Sequence, residues 1–267
     1  MNAVSANTPT SRSEDPALAG PERHVVLLSS LRGLVRGLSC LFWGLPAALV
    51  VAVQTTRGDW LKPSGLASDT VTLVLGIAPV LLAMLLLLYG VWMMGNFQTQ
   101  ERIWMSALHR ARFVATVNVG LAPFLFFWSK VSAHWFFNVA VGLMVLSMLA
   151  FLYLLNSVLA RLAAMLPDET LRGETQVFTR LNQIILLVLT ASAPFYFLVR
   201  GAETLPRILV DFLLLLDRAG ELMPLMSLLI FVLLPVAMTM ALLWKTKEVI
   251  MTSVFSSAGH DPAPPPR

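Results

Sequence analysis

The side chains of this sequence that could do chemistry are few, and most are amides and hydroxyls set in long uncharged runs. They are Asn118, Asn138, Asn156, Asn182 and Gln183, with Thr116, Thr190, Ser192 and Thr239. An amide in apolar surroundings carries two donors and an acceptor that need partners, so it either ties one helix to another or faces a polar solute. The same runs contain no Asp, Glu, Lys or Arg. A proton-coupled transporter would therefore lack its usual carboxylate relay, although carbonyls freed near prolines could still hold an ion.

Metal, cofactor and nucleophile chemistry has no sequence support. His109 and His134 fall at opposite ends of the segments that carry them and cannot ligate one haem, and Cys40 is the sole cysteine. There is no His-Glu-x-x-His pair, no Gly-x-Ser-x-Gly turn and no Gly-x-x-x-x-Gly-Lys phosphate loop. The acids Asp168, Glu169 and Glu174, and Asp211, Asp217 and Glu221, lie in connecting segments without metal-ligand spacing. No catalytic residue, metal ligand or cofactor is expected.

The elements that position these groups follow from composition. Of 267 residues, 57% are hydrophobic and 13% charged, and the mean hydropathy is +0.75. That is more apolar surface than a soluble domain of this size can hide, so lipid must cover the excess. The pI of about 9.6 comes with a net charge of only +4 and basic residues scattered between apolar runs, which argues against a nucleic-acid partner. Six uncharged runs meet the requirement of about 20 residues per spanning helix: 37–56, 70–95, 113–129, 131–160, 181–199 and 222–244. The expected fold is all-α, a polytopic transmembrane bundle over 37–247. A cytoplasmic segment 1–36, disordered at least to about residue 20, precedes it, and a cytoplasmic tail 248–267, disordered toward its end, follows.

Lys and Arg between spans set the orientation, because they are retained on the cytoplasmic side. Thirteen fall with the termini and the second and fourth connections, among them Arg32, Arg36, Arg102, Arg110, Arg112, Arg161, Arg172, Arg180, Lys245 and Lys247; six fall on the other side. Both termini are expected in the cytoplasm, of the inner membrane if the chain is bacterial.

The connections have character of their own. Between Asn96 and Arg112, Phe97, Trp104, Leu108 and Ala111 recur at helical spacing, as in a helix at headgroup level or an extension of a span. The segment 161–180 is broken at Pro167, and Asp168 and Glu169 suit the first turn of a new helix. On the outer side, 205–219 reads as an interfacial or re-entrant helix with Arg207 and Asp211 one turn apart.

Odd-numbered spans each carry a central proline, Pro46, Pro123 and Pro194, with a basic residue fourteen positions earlier in each case, Arg32, His109 and Arg180. Proline removes a helical hydrogen bond and bends the helix. The three could mark helix-hairpin repeats inserted in the same sense. The functional expectation is a non-catalytic subunit or scaffold that contacts the bilayer and other membrane protein subunits. A transporter or channel for a small solute is the alternative, and a membrane-embedded enzyme at the lipid interface a third.

Overall fold

A computed structural model describes residues 19–57, 69–97, 101–131, 134–165, 169–201 and 222–257. Six α-helices account for nearly all of them: α1 (Ala19–Arg57), α2 (Asp69–Met93), α3 (Arg102–Lys130), α4 (Trp135–Met165), α5 (Glu169–Gly201) and α6 (Leu222–Ser257). A 3-10 turn, Met94–Asn96, follows α2, and no strand occurs among the described residues. Leu, Met, Ala and Phe dominate these segments, and a helix satisfies every backbone group internally, which a chain in lipid requires. Four helices are long and apolar enough to cross a membrane, over Ser29–Arg57, Leu73–Met93, Arg102–Lys130 and Trp135–Met165.

The helices outrun the uncharged runs. α1 begins eighteen residues before the run at 37, α3 absorbs the amphipathic segment from Arg102 onward, α5 starts at Glu169, and α6 continues to Ser257, into the segment 248–267 expected to be a tail. Charge marks where lipid ends, not where a helix ends, since Arg, Lys and Glu are good helix formers. α4 stops at Met165, just before Pro167, and α5 opens on an acidic residue that suits the helix dipole. The helices run through Pro46, Pro123 and Pro194 without interruption. The expected outer helix 205–219, with Arg207 and Asp211, lies outside the described residues.

Chain neighbours pack against one another all the way along, and α6 returns to α1, so the bundle closes on itself; α1 also touches α3, and α4 touches α6. Each helix turns a seam with alternating steps of three and four residues toward the interior. On α1 the seam is Leu34, Leu38, Leu41 and Leu45; on α2, Val80, Met84, Leu87 and Val91; on α3, Trp104, Leu108, Ala111 and Ala115. This is the spacing of helices packed at a shallow angle. α1 and α2 approach so closely that a Cβ at Gly37 would stand 2.7 Å from the Gly90 carbonyl oxygen.

Candidate functional site

The inner seams of α5 and α6 differ from the stretches 34–45 of α1 and 80–91 of α2. On α5 the buried positions are Thr175, Thr179, Asn182 and Leu186, and on α6 they include Val236, Thr239, Leu243, Thr246 and Ile250. Polar side chains thus occupy positions where α1 and α2 place leucine, valine and methionine. Asn156, fully buried on α4, completes the group.

Three helices meet at one oxygen. Asn156 Nδ2 on α4 donates to Thr239 Oγ1 on α6 at 2.9 Å, and Asn182 Nδ2 on α5 donates to the same atom at 3.0 Å. Thr239 donates in turn to the Pro235 carbonyl at 2.7 Å. Each amide uses its second hydrogen on a backbone carbonyl, Asn156 on Leu152 at 2.8 Å and Asn182 on Pro235 at 3.2 Å. Those bonds fix both amide orientations, because turning either over would set its oxygen against a carbonyl oxygen. Asn156 Oδ1 and Asn182 Oδ1 are left buried without a hydrogen-bond partner, and so are the hydroxyls of Thr175, Thr179 and Thr246.

One residue along from each amide, Gln183 Nε2 donates to Ser157 Oγ at 2.8 Å, a direct side-chain bond between α5 and α4. At the N-terminal end of α5, Glu174 forms an ion pair with Lys245 of α6. Glu174–Lys245 and Asn182–Thr239 together require α5 and α6 to run antiparallel.

The remaining expected residues separate. Asn118 sits in the α3 seam between Ala115 and Ala122, 2% exposed, its Oδ1 without a partner, and no hydrogen bond joins it to Asn156 or Asn182. Asn138 lies at the opposite end of the bundle, where its Oδ1 accepts from Trp128 Nε1 at 2.6 Å across the α3–α4 hairpin. Thr116 and Thr190 donate to carbonyls of their own helices. Ser192 falls where only the backbone is described.

No protein-family model, curated protein or solved structure matches this chain. Its chemistry has to be read from its own geometry. Among the described residues no group of three or more His, Cys, Asp or Glu side chains comes together. The buried cluster is neutral: it can join helices, and its unused amide oxygens can accept hydrogen bonds.

A second ordered region forms around the start of α3. Trp104, fully buried, donates from Nε1 to the Phe97 carbonyl at 3.1 Å and stands edge-on to the Phe97 ring. Arg112 lies over the Trp92 ring and donates to the Trp92 carbonyl at 2.9 Å, so it supplies a cation to the C-terminal end of α2. Gly95 leaves the space that its guanidinium fills. Arg161 of α4 donates to the Ile103 carbonyl at 2.6 Å.

Reasoning from types and spacing singled out Asn156, Asn182, Gln183 and Thr239. It passed over Thr175, Thr179 and Thr246, and over the partners of Arg112 and Arg161. The threonines carried a signal, since 175, 179, 182 and 186 follow the same three-and-four rhythm as the leucine seams. The arginine contacts carried none, because a basic residue at a span boundary has the same sequence appearance whether or not it folds back onto a helix end.

Proposed function

We propose that this chain is a six-span integral membrane protein with both termini in the cytoplasm, acting as a non-catalytic subunit or scaffold of a membrane protein complex. The supporting observation is the outer face of α5. Val177, Leu181, Ile184 and Val188 are all more than half exposed and follow one another at steps of four, three and four. That is the rhythm by which the inner seams receive a neighbouring helix. The stripe extends past Arg180 to Val177, beyond the uncharged run that lipid would cover. Meanwhile Asn156, Asn182, Gln183 and Ser157 direct their donors to partners within the chain, as helix-joining amides do.

Gentle detergent extraction followed by identification of co-purifying chains tests this reading. A stoichiometric complex is expected, with photo-crosslinks from Ile184 and none from the buried Leu186. A monodisperse single chain that forms no crosslink from Ile184 in native membranes would refute it. The alternative, passage of a small polar solute, draws on the unpaired oxygens of Asn118, Asn156 and Asn182; solute flux through reconstituted vesicles would favour it.

A further inference from the structure

We infer that the seam between α5 and α6 is hydrated inside, holding a row of buried water that runs from the Asn156–Asn182–Thr239 junction toward the Glu174–Lys245 end of the bundle. This goes beyond the subunit reading and stands apart from it.

Register is the first part of the case. Asn182 and Thr239 are hydrogen-bonded across two antiparallel helices. Stepping seven residues toward the start of α5 and seven toward the end of α6 brings Thr175 opposite Thr246. Two turns are about 10 Å. Thr179, between them on α5, comes opposite Leu242. The ion pair of Glu174 with Lys245, one position along from each threonine, fixes the same alignment independently.

The second part is the state of these groups. Thr175, Thr179, Thr246, Asn156 and Asn182 are each at least 96% buried, and each has one polar atom without a hydrogen-bond partner. A buried polar atom without a partner is penalised, and in native proteins such atoms are joined to a protein group or to ordered water. A residue three or four positions away offered the threonines a carbonyl of their own helix, the bond made by Thr116, Thr190 and Thr252; these three do not take it.

The third part is the chemistry of the set. The threonine hydroxyls have hydrogens to donate, and the amide oxygens, held outward by the bonds at their nitrogens, have lone pairs to fill. Water supplies both, typically making about three hydrogen bonds at a buried site. A cation would engage lone pairs only, and the cluster contains no carboxylate to balance its charge. The inner seam of α1 is by contrast Leu34, Leu38, Leu41 and Leu45, which give water nothing to bind.

The sign of a near-isosteric substitution in the full chain tests the inference. Thr175→Val, Thr179→Val and Thr246→Val each remove one hydroxyl. Where water holds that hydroxyl, each variant should lower the thermal unfolding midpoint in detergent by about 2–4 °C. In a dry seam the same changes remove an unpaired polar group, and midpoints that are unchanged or raised would overturn the inference. Radiolytic hydroxyl labelling of the unsubstituted protein reads the water directly and decides the matter even where a variant fails to fold. Leu242 should be oxidised while Leu45, equally buried at 4% exposed, is not; an unlabelled Leu242 would refute the hydrated seam. The midpoint is expected to be the same in sodium, potassium and N-methylglucamine chloride, and dependence on the cation would replace water with a bound ion.

Discussion

Thr239 matters because a single oxygen accepts from amides on two other helices while its hydrogen goes back to its own helix. Thr239→Val would leave one amide hydrogen on each of Asn156 and Asn182 without an acceptor. Hydrogen bonds between membrane helices contribute modestly one at a time, so the pair predicts a loss of about 1–2 kcal/mol. Thr239→Ser should retain most of it. Thr190→Val, which removes only a bond within α5, should change stability far less; thermal unfolding of the three variants in one detergent makes the comparison. The existence of helix-joining amides was legible in the sequence, since an asparagine in an uncharged run has few other uses. Their meeting point was not, because Asn156 and Asn182 reach Thr239 across 83 and 57 residues, and a register between distant helices leaves no mark in either helix alone. Arg112 illustrates the same limit. Its type and place announced a membrane boundary, whereas its seat over Trp92 depends on Gly95 being without a side chain. Gly95→Ala should therefore displace the guanidinium and unpin the start of α3, seen as faster proteolysis near residue 97.

Among the helices, α1 and α2 approach closely, and the cause is a pair of glycines. Gly33 and Gly37 form a small-x-x-x-small motif on α1, with Gly90 facing Gly37 on α2. A methyl group at 37 would meet backbone, which cannot rotate away. Gly37→Ala is expected to cost about 1–3 kcal/mol as the helices are forced apart. Gly120→Ala serves as the control, because a Cβ there meets nothing within 4 Å. In mid-helix it should be neutral or stabilising by up to about 1 kcal/mol. Equal destabilisation by both would show that the close approach has no energetic weight. Hydropathy alone located the helices, since uncharged runs of this length have no other stable form in lipid. It missed their ends, because α6 at 36 residues is about 54 Å long at 1.5 Å per residue, against a hydrocarbon core of about 30 Å. The excess is built from residues that favour a helix in water as well, such as Lys245, Lys247 and Glu248, and no count of apolar residues can find it.

At the scale of the whole molecule, the parts of the helices that extend beyond the uncharged runs gather at one end. They are the start of α1, the start of α3 from Arg102, the end of α4 from Arg161, the start of α5 from Glu169, and the end of α6 from Lys245. Alternating direction along a closed bundle brings these five stretches to the same side, and they carry Arg32, Arg36, Arg102, Arg110, Arg112, Arg161, Arg172, Arg180, Lys245 and Lys247. At the other end α3 and α4 are joined through Val131 to His134, beside the Trp128–Asn138 bond and a cluster of phenylalanines around Phe136 and Phe137. Aromatic side chains suit a membrane interface, and translocating so many arginines and lysines is strongly disfavoured. The basic end should therefore be cytoplasmic. A reporter active only in the cytoplasm, fused after Arg267, should give signal, and the same reporter inserted between Arg57 and Lys62 should give none. Charge and geometry here make separate demands. If both fusions reported the same side, one of α2 to α6 would not cross or an additional segment would, and 205–219 would be the first place to look. If the readings were opposite but inverted, the helices would cross as described with the basic end outward, and retention of Lys and Arg would have to yield to some partner that holds this end on the far side.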